Sequence, residues 1–208
     1  GKIPGITSTD LQVDPLAAYA DADPAVKDFY FAVRRVKRNI LFKNPVLDFS
    51  QLLFIDQPLP QGPESRHEAI HRMGIMAMPG GRLLALDGLH PGGNLRQLAP
   101  QKPGSFWRPD LSFDAKRVLF CFIPHDEKSF HLYEMNFDGT GLRQLTDSEY
   151  DDIDPLYLPD GHILFTTTRG NSYVRCGPFI YSYILARCDG DGRNVYLISC
   201  NGEPDRKS

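Results

Sequence analysis

No apolar run in this chain approaches the ~20 residues that a membrane-spanning helix needs, so no membrane span is expected from it. Strong positive charge is also missing. Against 26 Asp and Glu there are 23 Lys and Arg, a formal net charge of −3, so the electrostatic footprint of a nucleic-acid binder is absent. The four cysteines (Cys121, Cys176, Cys188, Cys200) form no Cys-x-x-Cys pair, and the haem-attachment pattern Cys-x-x-Cys-His does not occur. Their number permits two disulfides, but reduced, partly buried strand cysteines are the simpler expectation. There is no Gly-x-Ser-x-Gly elbow, no phosphate-binding glycine loop and no arguable Ser-His-Asp order. The chain opens on Gly1 without an apolar leader, which reads as a mature form or a domain cut from a longer protein.

What is present is a repeat. Leu95-Arg96-Gln97-Leu98 returns 47 residues later as Leu142-Arg143-Gln144-Leu145, each time after a Gly-rich turn. Pro109, Pro155 and Pro204 follow at spacings of 46 and 49, and Asp114 and Asp160 lie 46 apart. A period of ~40–50 residues built from short strands is the signature of a β-propeller. The expected fold is all-β, a propeller of four-stranded antiparallel blades with a short N-terminal helix.

The helix is placed by Asp23 as N-cap and Pro24 at the first helical position. Val26, Phe29, Tyr30, Val33, Val36 and Ile40 recur on one face. Arg34, Arg35, Lys37 and Arg38 crowd its last turns; a solvated helix end explains them better than an anionic partner. From Asn44 the pattern turns to β. Leu52–Ile55 reads as a buried strand, and residues 57–72 as a long polar loop. Pro109 is expected to start a strand, and Phe113–Lys116 to form a hairpin turn. The turns Asp138-Gly139 and Asp191-Gly192 lie between alternating runs, a strong hairpin signal. This divides the chain into an N-terminal extension, 1–43, and a partial propeller, 44–208. The blades are expected at 44–104, 105–150 and 151–201, with another beginning at 202. Closed propellers have at least four blades, so the chain is expected to be part of a larger propeller or to complete one by self-association.

The blade sequences resemble a known repeat. Asp154-Pro155-Leu156-Tyr157-Leu158-Pro159-Asp160-Gly161-His162-Ile163-Leu164-Phe165 resembles the Tol-type propeller repeat, and Asp138–Thr146 resembles its closing strand. Phe130–Met135, Tyr150–Pro155, Tyr173–Cys176 and Asn201–Asp205 are similar to bacterial proteins, many from planctomycetes, related to the alpha subunit of hydrazine synthase. The resemblance implies a propeller in an exported, periplasmic and often haem-associated protein. Its partners would be other domains of the parent protein or a separate protein. With no Cys-x-x-Cys-His, covalent haem is not carried over to this chain.

Three groups are candidates for chemistry. His67-Glu68-Ala69-Ile70-His71 matches HExxH, in which two histidines on one helix face hold Zn²⁺. Its flanks, Pro63 and Pro79-Gly80-Gly81, point instead to a solvated loop. Asp151, Asp152 and Asp154 lie in the turn between two blades, with Glu203 and Arg108 at the equivalent places of neighbouring units. Brought together at a channel mouth, these carboxylates could bind Ca²⁺ or a cationic group; as isolated turn residues they would satisfy backbone donors. His125, Asp126 and His131 form a weaker third group. Trp107 is expected to wedge between blades or cap the channel. The function expected overall is a noncatalytic propeller scaffold that binds a ligand or protein. The alternative is the propeller domain of a haem- or metal-dependent enzyme.

Overall fold

The computed structural model describes residues 23–47, 49–58, 80–89, 92–99, 101–124, 127–174 and 177–199. The chain divides into two units, Gly1–Phe49 and Ser50–Ser208. In the first, helix α1 spans Pro24–Leu41. The Asp23 carboxylate accepts from the Ala25 amide at 2.7 Å, satisfying one of the open donors of the first turn. None of the residues of α1 is buried within the unit.

The second unit is a series of antiparallel meanders. The first sheet has three strands, β1 (Gln51–Asp56), β2 (Arg82–Asp87) and β3 (Asn94–Ala99). The second has four: β4 (Gly104–Leu111), β5 (Arg117–Pro124), β6 (His131–Asn136) and β7 (Arg143–Gln144). The third runs β8 (Asp152–Tyr157), β9 (Ile163–Thr167), β12 (Ile184–Cys188) and β13 (Tyr196–Leu197). A small hairpin, β10 (Tyr173–Val174) and β11 (Gly177–Tyr181), is inserted between β9 and β12. Sheets stacked on their neighbours in this way form a partial β-propeller with a short N-terminal helix.

Strand β5 shows why the stack holds. Every residue from Val118 to Pro124 is buried. Val118, Phe120 and Phe122 face the first sheet and join Leu83, Ala85 and Phe106 in one core cluster. Leu119, Cys121 and Ile123 face the third sheet and meet Ile153, Ile163, Phe165 and Ala186 in another. Side chains alternate across a strand, so a strand with a sheet on each side must be apolar at every position. Trp107 packs against the second of these clusters, as a wedge.

Three sequence expectations change in the folded chain. Leu52–Ile55 forms a strand, but Leu52 and Phe54 are exposed and only half of the strand is covered. Pro109 and Pro155 lie inside β4 and β8 and do not start them. Each follows a left-handed residue, Arg108 (φ 45°) or Asp154 (φ 53°), at a shift in strand register. A β-bulge leaves one residue unpaired, and a proline with no N–H to donate is tolerated beside it. Finally, the runs that follow the Asp138-Gly139 and Asp191-Gly192 turns shrink to two-residue strands. In both, a side-chain hydroxyl replaces the backbone partner: Thr146 Oγ1 accepts from Leu132 N at 3.0 Å, and Ser199 Oγ from Leu185 N at 3.1 Å.

Cys121 and Cys188 are free, fully buried thiols in the cluster between the second and third sheets. Burial pushes the Cys188 thiol up to about 12 and raises that of Cys121 as well. Thiolate is the reactive form. Iodoacetamide is therefore expected to leave both unmodified in the native protein and to label both after guanidinium unfolding, as read by peptide mass spectrometry. Rapid native labelling of either would show that these two sheets open.

Candidate functional site

In a meander each strand reverses direction, so successive loops alternate between the two ends of the sheet. The turns 112–116, 137–142, 158–162 and 189–195 fall at one end. Residues 127–130, the 145–151 connection and residues 168–174 and 177–183 fall at the other. At this second end a cleft of about 510 Å³ opens between the second and third sheets, lined from all three segments. Its size lies within the usual range for ligand sites.

The acidic turn builds the floor of this region. Asp151 accepts from the Phe130 amide at 3.0 Å through Oδ1 and from the Tyr183 hydroxyl at 2.9 Å through Oδ2. Its own amide donates to Thr168 Oγ1 at 3.0 Å. One residue thus joins the β5–β6 loop, the sheet connection and the insertion. Asp152 is fully buried, and Oδ1 accepts from the Arg169 guanidinium. Arg169 also donates to Ser148 Oγ at 2.9 Å and lies over the Tyr150 ring, 5.7 Å from its centroid. Arg108 and Asp154 meet across two neighbouring strands at 3.3 Å. Asp151, Asp152 and Asp154 therefore face different partners and do not converge on one point. Among the described residues no group of three or more His, Cys, Asp or Glu is placed to hold a metal ion. His67, His71, His125, Asp126, Cys176, Cys200 and Glu203 lie outside the described residues.

His131, at the head of β6, lines the cleft. It is 4% exposed, and Nδ1 has no hydrogen-bond partner among the described residues. Around it the open groups are Glu127 and Lys128 from one loop, Glu149 from the connection and Asn171 from the insertion.

A second polar centre escaped the sequence reading. The Glu134 carboxylate is buried between the sheets. Oε1 accepts from Arg117 Nη1 at 3.0 Å and from the Tyr157 hydroxyl at 2.8 Å. Oε2 accepts from Arg143 Nε at 3.0 Å and Nη2 at 2.7 Å. Burial first, and then the hydrogen bond to Glu134, push the Tyr157 phenol well above its ordinary range. The first sheet repeats half of this arrangement, with Arg96 Nε donating to Asp87 Oδ2 at 2.8 Å. Asp87 and Glu134 lie 47 residues apart, as do Arg96 and Arg143. The co-repeating acid and arginine were the available signal.

No family model matches the chain. Among solved structures it is similar to hydrazine synthase from Kuenenia stuttgartiensis, with 20% identity and a TM-score of 0.53 over 66% of this chain and 21% of that one. It is also similar to a putative TolB from Agrobacterium tumefaciens, with 19% identity and a TM-score of 0.44 over 59% and 45% of the two chains. For TolB from Acinetobacter baumannii the values are 20% and 0.45, over 62% and 31%. The chain thus spans about a fifth of the length of the hydrazine synthase chain it matches. At 20% identity that likeness speaks for the propeller fold.

Proposed function

We propose that this chain is a noncatalytic β-propeller segment, a binding or supporting scaffold in a longer exported protein, and that it binds through the end carrying the cleft. One observation carries the reading. The buried Glu134 and the half-buried Asp151 tie the second sheet to the third, and the buried Asp152 holds Arg169 within the third, while Glu127, Lys128, Glu149 and Asn171 are exposed over a single cleft. A frame braced by its internal charges, with polar side chains from three loops at one end, suits binding.

The test uses the full-length parent protein with Lys128, Glu149 and Asn171 replaced together by alanine. All three are exposed, so the circular dichroism spectrum should be unchanged. Amide exchange is expected to show protection of 127–131 and 148–151 by a partner or neighbouring domain in the parent, and loss of that protection in the triple variant. Any turnover of the parent should be unaffected. Turnover abolished by these substitutions in a folded protein would overturn the scaffold reading.

The likeness to hydrazine synthase supports a second reading, a propeller element of a haem- or metal-dependent enzyme. The chain has no haem-attachment motif, and among the described residues no group of three ligands is placed to hold a metal ion, so such a group would be supplied at least partly from outside the described residues. Elemental mass spectrometry of the parent, combined with the turnover measurement above, separates the two readings.

A further inference from the structure

Among the exposed charged side chains that line the cleft, carboxylates outnumber ammonium groups. Glu127 and Glu149 are exposed carboxylates on its rim, opposed by one ammonium, Lys128. Arg169, the nearby guanidinium, is held by Asp152 and Ser148. On the wall, His131 Nδ1 is buried without a partner among the described residues. With its proton on Nε2, a neutral imidazole presents Nδ1 as an acceptor. An anion entering here would face two carboxylates, beside a buried imidazole nitrogen that has no partner among the described residues. A metal ion would find no group of three ligating side chains among the described residues. An N–H donor carrying positive charge meets complementary groups on both rim and wall. The region already contains one such contact, since the Arg169 guanidinium lies over the Tyr150 ring.

We propose that this cleft binds an organic cation, an ammonium or a guanidinium, between Glu127, Glu149 and His131. The proposal rests on the loop end being the binding face, and it names the ligand class. The cation can be a free amine or a basic side chain of a protein, and the experiment distinguishes these sources.

The measurement is a nuclear magnetic resonance titration of the whole chain at low salt, following the His131 ring and the amides of Ser129 and Glu149. The probes are agmatine and acetyl-Gly-Arg-Gly-amide, with acetyl-Gly-Glu-Gly-amide and glucose as controls. Saturable shifts are expected with the two cationic probes. The E127Q/E149Q variant should weaken them by ~tenfold, because both substitutions remove an attracting charge from exposed positions without touching the core. His131→Phe should weaken them as well. Tighter binding of the peptide than of agmatine identifies a protein side chain as the source; equal or weaker binding identifies a small amine. Shifts from the acidic peptide or glucose at the same residues, with none from the cations, would overturn the ligand class and leave the binding face standing. Failure of all four probes, or unchanged cation binding by E127Q/E149Q, would overturn this proposal. The scaffold reading would then still be decided by protection and turnover in the parent.

Discussion

Glu134→Ala is expected to lower the unfolding free energy by about 3 kcal/mol, because it removes a buried carboxylate on which three side chains converge. That would depress the melting temperature of a chain of this size by ~6–12 °C. The two arginines are about half exposed (47% and 45%) and can return to water. The loss therefore falls mainly on the Tyr157 hydroxyl, left buried without its acceptor, and on the hole beside it. For this reason the expected value lies at the lower end of the range for breaking a buried pair. Arg117→Ala should cost only about 1 kcal/mol, since Glu134 keeps Arg143 and Tyr157. Tyr157→Phe in the Glu134→Ala background removes the stranded hydroxyl, so the double variant should lose less than the sum of the two single losses. Urea unfolding of the four proteins measures this. A Glu134→Ala loss below about 1 kcal/mol would mean that this centre does not brace the blades.

Gly192→Ala is expected to be similarly costly, for a reason unrelated to charge. Gly192 has φ +85°, and a Cβ built on it would run into the carbonyl oxygen of Leu145, the residue that follows β7 of the second sheet. Gly161 has nearly the same backbone, φ +87°, but a Cβ there meets nothing within 4 Å. Both substitutions incur the left-handed strain of about 1–2 kcal/mol. Only Gly192→Ala must also move two blades apart, because a backbone carbonyl cannot rotate away as a side chain does. Gly161→Ala should therefore lose about 1 kcal/mol and Gly192→Ala about 3 kcal/mol or more. Equal losses in urea unfolding would show that the Asp191-Gly192 turn does not press on its neighbour.

Much of the architecture was legible because it is local. Asp23 caps α1 with its own side chain. Asp114 accepts from Ser112 Oγ and the Lys116 amide within one turn, and Asp160 accepts from the His162 amide. Such contacts join residues two positions apart, so residue type and spacing reveal them, and their recurrence reveals the blades. The bulges were less legible. Pro109 and Pro155 mark them, but a proline marks a strand start equally well until its partner strand is known.

The sequence by itself determined the repeat, the turns that close each meander, the capped helix and the absence of a haem-attachment motif, since each depends on neighbours along the chain. The tertiary structure alone decided that Asp151, Asp152 and Asp154 face three different partners, that Glu134 joins Arg117, Arg143 and Tyr157, and that the cleft lies beside His131. Those arrangements link residues as much as 46 positions apart through the stacking of one sheet on the next. Periodicity places each side chain on a face of its own strand, but only the packing of sheets sets what that face meets.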